Sequence, residues 1–223
     1  MLSGVNVHLN AGNPAQRERS AYDDNMIVTP TPALDASAQQ VLAFWFGDAG
    51  ERGLSRPQWF RKDAAFDDEI RDRFLPTYER GVDGEFESWK QQSTGCLALI
   101  ILLDQFPRNM FRGTRRAFEA DGLARKATRH ALAKEYDRTL RPVERMFVYL
   151  PLEHSEHLPD QELCLRLMKE LSGFRETRDI HVWAEKHLVI IRRFGRFPHR
   201  NAAIGRESTA AEFEFLKQPG SGF

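Results

Sequence analysis

Apolar residues recur along most of this chain at helical spacing, with little of the strict alternation that marks a half-buried strand. Ala36 to Phe46 reads as a first helix, stopped by Gly47. A second runs from Asp63 to about Tyr78. Its acidic start suits the positive end of a helix dipole, and Pro76 is expected to shorten it. A short turn of helix around Trp89, over 85–90, precedes a segment from Thr94 to about Gln105 that is apolar on every side. A helix of that kind must be buried all round, so it is expected at the centre of the fold. Its isoleucines would also suit a buried strand, but its length and its helical neighbours favour a helix. Arg116 to Ala133 follows, then Pro142 to about His157 and Pro159 to Ser172, with prolines in first-turn positions. Thr177 to Phe194 is the most clearly amphipathic stretch and ends at Gly195. Thr209 to Lys217 closes the chain, with Thr209 and Glu212 spaced as a capping box. The fold class predicted is all-α: about nine helices joined by short loops in an antiparallel helical array. No fixed repeat of about 34 residues is visible, although FPRN at 106–109 is echoed by FPHRN at 197–201.

The first 33 residues break this pattern. They are rich in Asn, Gly, Pro, Ser and Thr and lack periodicity, which predicts a disordered N-terminal tail and a single helical domain over 34–223. Met26, just before a Thr-Pro-Thr-Pro stretch, is an alternative start to Met1. At 223 residues the chain fits one domain plus a tail. The 32 basic and 32 acidic residues cancel, which argues against generalised binding to nucleic acid or to an anionic membrane. No apolar run is long enough to span a bilayer, and the tail lacks the apolar stretch of a secretory signal. Cys96 and Cys164 fall within apolar runs at helical positions. They read as reduced core thiols, and a cytoplasmic location follows as the expectation.

The basic charges are uneven, and this changes the picture. Arg108, Arg112, Arg115 and Arg116 lie between Asp104 and Glu119 with no acid among them, and Arg192, Arg193, Arg196, Arg200 and Arg206 repeat the pattern with His199. These two segments hold no lysine. Arginine presents a rigid planar fork to a carboxylate or phosphate, which lysine cannot copy. The plainer reading is that these guanidiniums cap helix carboxyl ends and pair with Asp104, Asp121 or Glu156. At about 100° per residue, His187 sits in the middle of an apolar stripe, as a hydrogen-bonded core residue or as the floor of a pocket. His154 shows the same pattern with Val143, Phe147 and Leu150, provided Pro151 only kinks its helix. A buried imidazole beside carboxylates and arginines can act as acid or base. EHSEH at 153–157 offers His154 and His157 three apart with Glu153 or Glu156. This matches no zinc spacing, and no metal or other cofactor is expected.

The stretches VLAFWFG (41–47), WF (59–60), LDQFPRN (103–109), FRGT (111–114), AFEAD (117–121), YLPLEHSE (149–156) and RFGRFPHRNAAIGRES (193–208) resemble a bacterial family catalogued as domain of unknown function 924. The resemblance runs from about Leu34 to the C-terminus. It implies a helical, tetratricopeptide-like fold, an α-α superhelix, and carries no assigned activity.

Two buried apolar helices lead into the FPRN and FPHRN segments. If those helices pack in parallel, the segments meet at one end of the domain; antiparallel packing would put them at opposite ends. The expectation is a shared polar pocket in which Asp104, Arg108, Asn109, Arg196, Arg200 and Asn201 bind a ligand, with His154, His187 and Glu156 as catalytic candidates. The function read from this is a helical scaffold that grips an anionic small ligand or a peptide. An enzyme acting on a small anionic substrate, with histidine as acid or base and arginine clamps, is the alternative. RNA binding through the same arginines ranks below both, and the oligomeric state is open.

Overall fold

The computed structural model describes residues 33–48 and 50–222. The expected tail and the alternative start at Met26 lie outside them, apart from Ala33. Among the described residues every regular element is helical. Helix α1 (Ala36–Phe46) is capped by the Asp35 carboxylate, which accepts from the backbone N–H of Ser37 and Ala38. It stops at Gly47, whose φ of 81° an L side chain rarely adopts. Helix α2 (Ala64–Val82) starts from Asp63 in the same way and runs through Pro76 rather than ending there, because its apolar face (Ile70, Phe74, Tyr78) stays packed in the core. The turn around Trp89 is a 3₁₀ turn, Glu87–Gln91.

The central helix α3 (93–110) comprises Ser93–Ile100, a π-helical turn Ile101–Gln105, and Phe106–Met110. In the π turn the Phe106 N–H reaches back to the Ile101 carbonyl. The wide turn has a local cause: Pro107 has no N–H and its ring would press on the carbonyl four residues earlier. Ile100, Ile101 and Leu102 have no solvent exposure. The apolar segment is therefore the helix at the centre, not a strand.

Helix α4 (Asp121–Ala133) is shorter than the sequence suggests. Arg115–Phe118 forms a separate 3₁₀ turn, and the helix begins at Asp121, whose carboxylate suits a helix amino end. Helix α5 (Pro142–Glu153) tolerates Pro151 but ends before His157. The Gln161 side chain takes up the carbonyls of Leu152, Glu153 and Ser155, which the ended helix leaves free. Helices α6 (Leu158–Glu170), α7 (Ile180–Phe194), α8 (Asn201–Ile204) and α9 (Ala210–Leu216) complete the chain. That makes nine helices among the described residues, counting α3 as one. The expected capping box between Thr209 and Glu212 is present at α9.

Successive helices α2 to α7 pack on one another, and α1 and α5 both lie against α3. One core joins them. It includes an aromatic group in which Trp45, Trp59, Phe46 and Phe147 meet edge to face at centroid separations down to 4.8 Å. A smaller group, Ile190, Ile191 and Phe197, seats the C-terminal segment against α7.

Truncating Ile100 or Leu102 to alanine is expected to cost ~2–5 kcal/mol in denaturant unfolding, since each side chain is wholly buried and its loss leaves a cavity. A loss below about 1 kcal/mol would mean that α3 is not the core.

Candidate functional site

Asp104 stands on the π turn of α3 and has no contact with solvent. A carboxylate removed from water needs partners. His154 Nδ1 lies 2.9 and 3.0 Å from its two oxygens, Gln105 Nε2 donates to Oδ2 at 2.6 Å, and Arg108 Nη1 is 3.6 Å away. Burial pushes the Asp104 carboxyl up, but the facing His154 ring, the Arg108 charge and the hydrogen bonds outweigh it, so the group stays ionised. His154 occupies the carboxyl-terminal cap of α5. Burial first, then the Arg108 charge, holds its pKa below the ordinary imidazole value against the pull of Asp104. The neutral ring then gives its Nδ1 proton to Asp104 and keeps a lone pair at Nε2. Its hydrogen bonds to the protein run through Nδ1 alone, and its side chain is 15% exposed.

Both FP(H)RN segments converge beside this pair. Arg108 Nη1 donates to Asp121 Oδ1 at 2.8 Å, and Arg200 Nη1 donates to Asp121 Oδ2 at 3.2 Å. Arg108 also donates to the Asp104 carbonyl at 2.9 Å, and Arg200 Nη2 to the His154 carbonyl at 2.9 Å, so Arg200 caps α5. The Phe118 ring lies under both guanidiniums, 4.7 Å from that of Arg200 and 5.8 Å from that of Arg108, and Phe197 lies 4.6 Å from Arg200. Two guanidinium nitrogens, Arg108 Nη2 and Arg200 Nε, are buried with no hydrogen-bond acceptor. Arg200 is only 7% exposed, and its pKa falls to about 10 through burial and the neighbouring Arg108.

His187 is buried on α7, with Nδ1 2.9 Å from the Trp183 carbonyl and 3.3 Å from Glu153 Oε1. Its ring centre is 6.3 Å from that of His154. Burial lowers its pKa to about 3, so it is a neutral core imidazole. Glu153 is pushed up to about 8 by burial and by the Asp104 charge, and its Oε2 has no partner. His199 packs on Phe197 and is likewise held neutral, at about 3, by burial and Arg200.

Of the residues expected in one pocket, Asp104, Arg108, His154, His187 and Arg200 come together. Glu156 lies at the border, where it accepts from the Phe197 N–H at 2.8 Å and forks with Arg206 at 2.7 and 2.8 Å. Three others go elsewhere. Asn109 follows Arg108 on the helix and so points about 100° away, donating at 2.7 Å to Asp67, which also holds Arg112. Arg196 is drawn to Glu212, the capping-box carboxylate of α9, at 2.6 Å. Asn201 braces the returning chain by donating to Ser208 at 3.0 Å and accepting from Arg206 at 2.9 Å. Charge position along the sequence does not say which way each side chain turns. Asp121, the last residue of AFEAD, reads from the sequence as a counter-charge, and in the fold it is shared by both arginines at the middle of the cluster. Phe118 lies in the same AFEAD stretch, and nothing in the sequence points to it as the ring beneath the arginines.

The EHSEH side chains diverge. Glu153 turns to His187, His154 to Asp104, Ser155 to Asp160 and Glu156 to Arg206. Among the described residues no group of His, Cys, Asp and Glu is arranged to hold a metal ion. Both cysteines are buried free thiols, and burial pushes Cys96 up to about 12. No helix of the described residues is long and apolar enough to cross a membrane.

The model of a bacterial protein family of unknown function, DUF924, matches residues 41–220, a span that includes every residue of this cluster. The chain belongs to the DUF924 family. A solved structure of a protein of unknown function from Agrobacterium tumefaciens, ATU0120, is similar to this DUF924 chain. It shares 37% identity and a TM-score of 0.71, over 81% of this chain and 96% of that one. Among curated proteins none matches.

Glu153 gives the site of this DUF924 protein a pH signature. Its folded pKa of about 8 lies above the unfolded carboxyl value of about 4.3. Between these values the folded state keeps a proton that the unfolded state has released, so stability declines as pH rises through the window. Glu153→Gln keeps the shape and cannot ionise. Its unfolding free energy should be flatter from about pH 5 to 8 and higher than the parent's by more than about 1 kcal/mol at the upper end. A parental pH slope in the variant would show that Glu153 is ionised in the fold.

Proposed function

We propose that this DUF924 protein is a helical scaffold of tetratricopeptide-like kind that binds a small anionic ligand at the cluster of Asp104, Arg108, Asp121, His154 and Arg200. The observation that carries the proposal is the pair of buried guanidinium nitrogens, Arg108 Nη2 and Arg200 Nε, that lack an acceptor. Buried polar groups are nearly always hydrogen-bonded, and a cationic donor without an acceptor is costly, so such donors mark a place for an oxyanion. Asp121 and three backbone carbonyls, those of Asp104, Ala117 and His154, accept from other donors of these arginines and hold the planes fixed, which lowers the ordering cost of binding. Arg108 and His154 are the most exposed side chains of the cluster, at 19% and 15%, and Asp121 and Arg200 expose less still. That access suits one carboxylate or inorganic oxyanion better than a length of peptide. The arginines are paired and buried rather than fanned over an open face with aromatics between, which disfavours RNA.

A second reading, an enzyme acting on a small anionic substrate, is favoured by one feature. His154 holds its Nδ1 proton on a fully buried carboxylate and leaves Nε2 unbonded at the solvent edge, the arrangement of a general base oriented by a partner. Nitrogen-15 NMR of His154 should show Nδ1 protonated and Nε2 bare at neutral pH; the opposite tautomer removes the base.

Binding is tested with sulfate or acetate as the probe. Calorimetry should give a saturable heat, and the melting temperature should climb with probe concentration as linkage requires. Arg108→Lys, at the partly exposed arginine, should weaken binding about tenfold or more while the protein stays folded. Equal heats in the variant and the parent would remove this cluster from the account.

A further inference from the structure

The charges of the cluster already cancel. Arg108 and Arg200 face Asp104 and Asp121, two of each sign, and Glu156 is matched separately by Arg206. An anion entering this arrangement would bring uncompensated negative charge into a place with little water. A mobile counter-ion could follow it only at the solvent edge. One group inside can answer instead. The His154 ring stands between Asp104 and solvent, and its Nε2 is free to take a proton.

We infer that this site binds its anion together with one proton, which settles on His154, so that anion and proton enter as a pair. The inference rests on the anion-binding reading and adds the coupling to it. The groups around His154 favour it as the acceptor. From α3 come Asp104, in contact with the ring, and Arg108. Asp121 of α4 bears on it electrostatically. Glu153 precedes it on α5, and His187 of α7 faces it at 6.3 Å. Arg200 and His199 come from the C-terminal segment. In the empty site the Arg108 charge and burial hold the ring neutral, while Asp104 favours its charged form. An anion on Arg108 and Arg200 cancels part of the opposing charge and leaves the Asp104 attraction, so the ring gains a proton. His187 and His199 are buried imidazoles held near a pKa of about 3, too far from neutrality to respond. Glu153 keeps its proton through the acid and neutral range and so has none to take up there.

Linkage fixes the sign and size. His154 in the free protein titrates below the ordinary imidazole value of about 6.5, and in the complex above its free value. Between those two pKa values the dissociation constant should rise about tenfold per pH unit. Outside them it should be level.

The test is titration calorimetry of the full chain with sulfate, which keeps its charge across the range, from about pH 5.5 to 8.5. Each titration is run in two buffers of different ionisation enthalpy, so that the heat reports protons taken up on binding. The expected result is uptake of about one proton per sulfate and an affinity that falls as pH rises. His154→Gln, which can still donate to Asp104, should bind sulfate with a level pH profile and no uptake. Should that variant fail to fold, proton uptake by the parent still decides. Sulfate binding with no uptake and a level profile in the parent would overturn the coupling and leave the anion site standing. No sulfate binding at any pH would overturn both.

Discussion

A carboxylate with no access to water must be met by donors on every open side, and Asp104 sets this requirement at the centre of the helical array. It sits there because Pro107 forces a π turn in the one helix that is apolar all round. The cost of burying it is offset by the imidazole of His154, by Gln105 and by the nearby Arg108. Those partners have demands of their own. Arg108 takes Asp121 as a counter-charge, and Asp121 is shared with Arg200 from the far end of the chain. Arg200 in turn closes the carboxyl end of the helix that presents His154. The loop of dependence returns to its start.

Such a network ties together four segments that local packing alone would leave independent: α3, α4, the end of α5 and the turn after α7. Burying ionic groups is weak evidence for stability, because well-packed apolar residues of the same volume often do as well or better. What the network adds is a fixed geometry. Two arginine planes are held against Phe118 and Phe197, one imidazole is held through Nδ1 against a buried carboxylate, and two guanidinium N–H groups lack an acceptor. Fixed donors are what recognition of an oxyanion requires.

Much of the fold was legible in the sequence because helix signals are local. The caps at Asp35, Asp63 and Thr209 and the stop at Gly195 act within one turn of chain, and the helices follow from them. The misjudged boundaries were tertiary in origin. Pro76 is tolerated because packing carries α2 on through it, and α5 ends early because Gln161, from the next helix, takes its last carbonyls. The site was half legible. Arginine clustering located Arg108 and Arg200, and the apolar stripes located His154 and His187. Asn109, Arg196 and Asn201 stand next to these residues in sequence but turn to Asp67, Glu212 and Ser208, partners that only the folded chain brings near. Membership of the DUF924 family and the likeness to the Agrobacterium protein agree with the helical fold and assign it no activity.

The central claim is that the two guanidinium groups hold donors for an external oxyanion. A crystal structure of the protein grown or soaked in sulfate tests it most directly. The account predicts a sulfate with oxygens within about 3 Å of both Arg108 Nη2 and Arg200 Nε, beside His154 Nε2. A sulfate-soaked structure in which those nitrogens meet only ordered water or protein oxygens, with sulfate bound elsewhere, would contradict it.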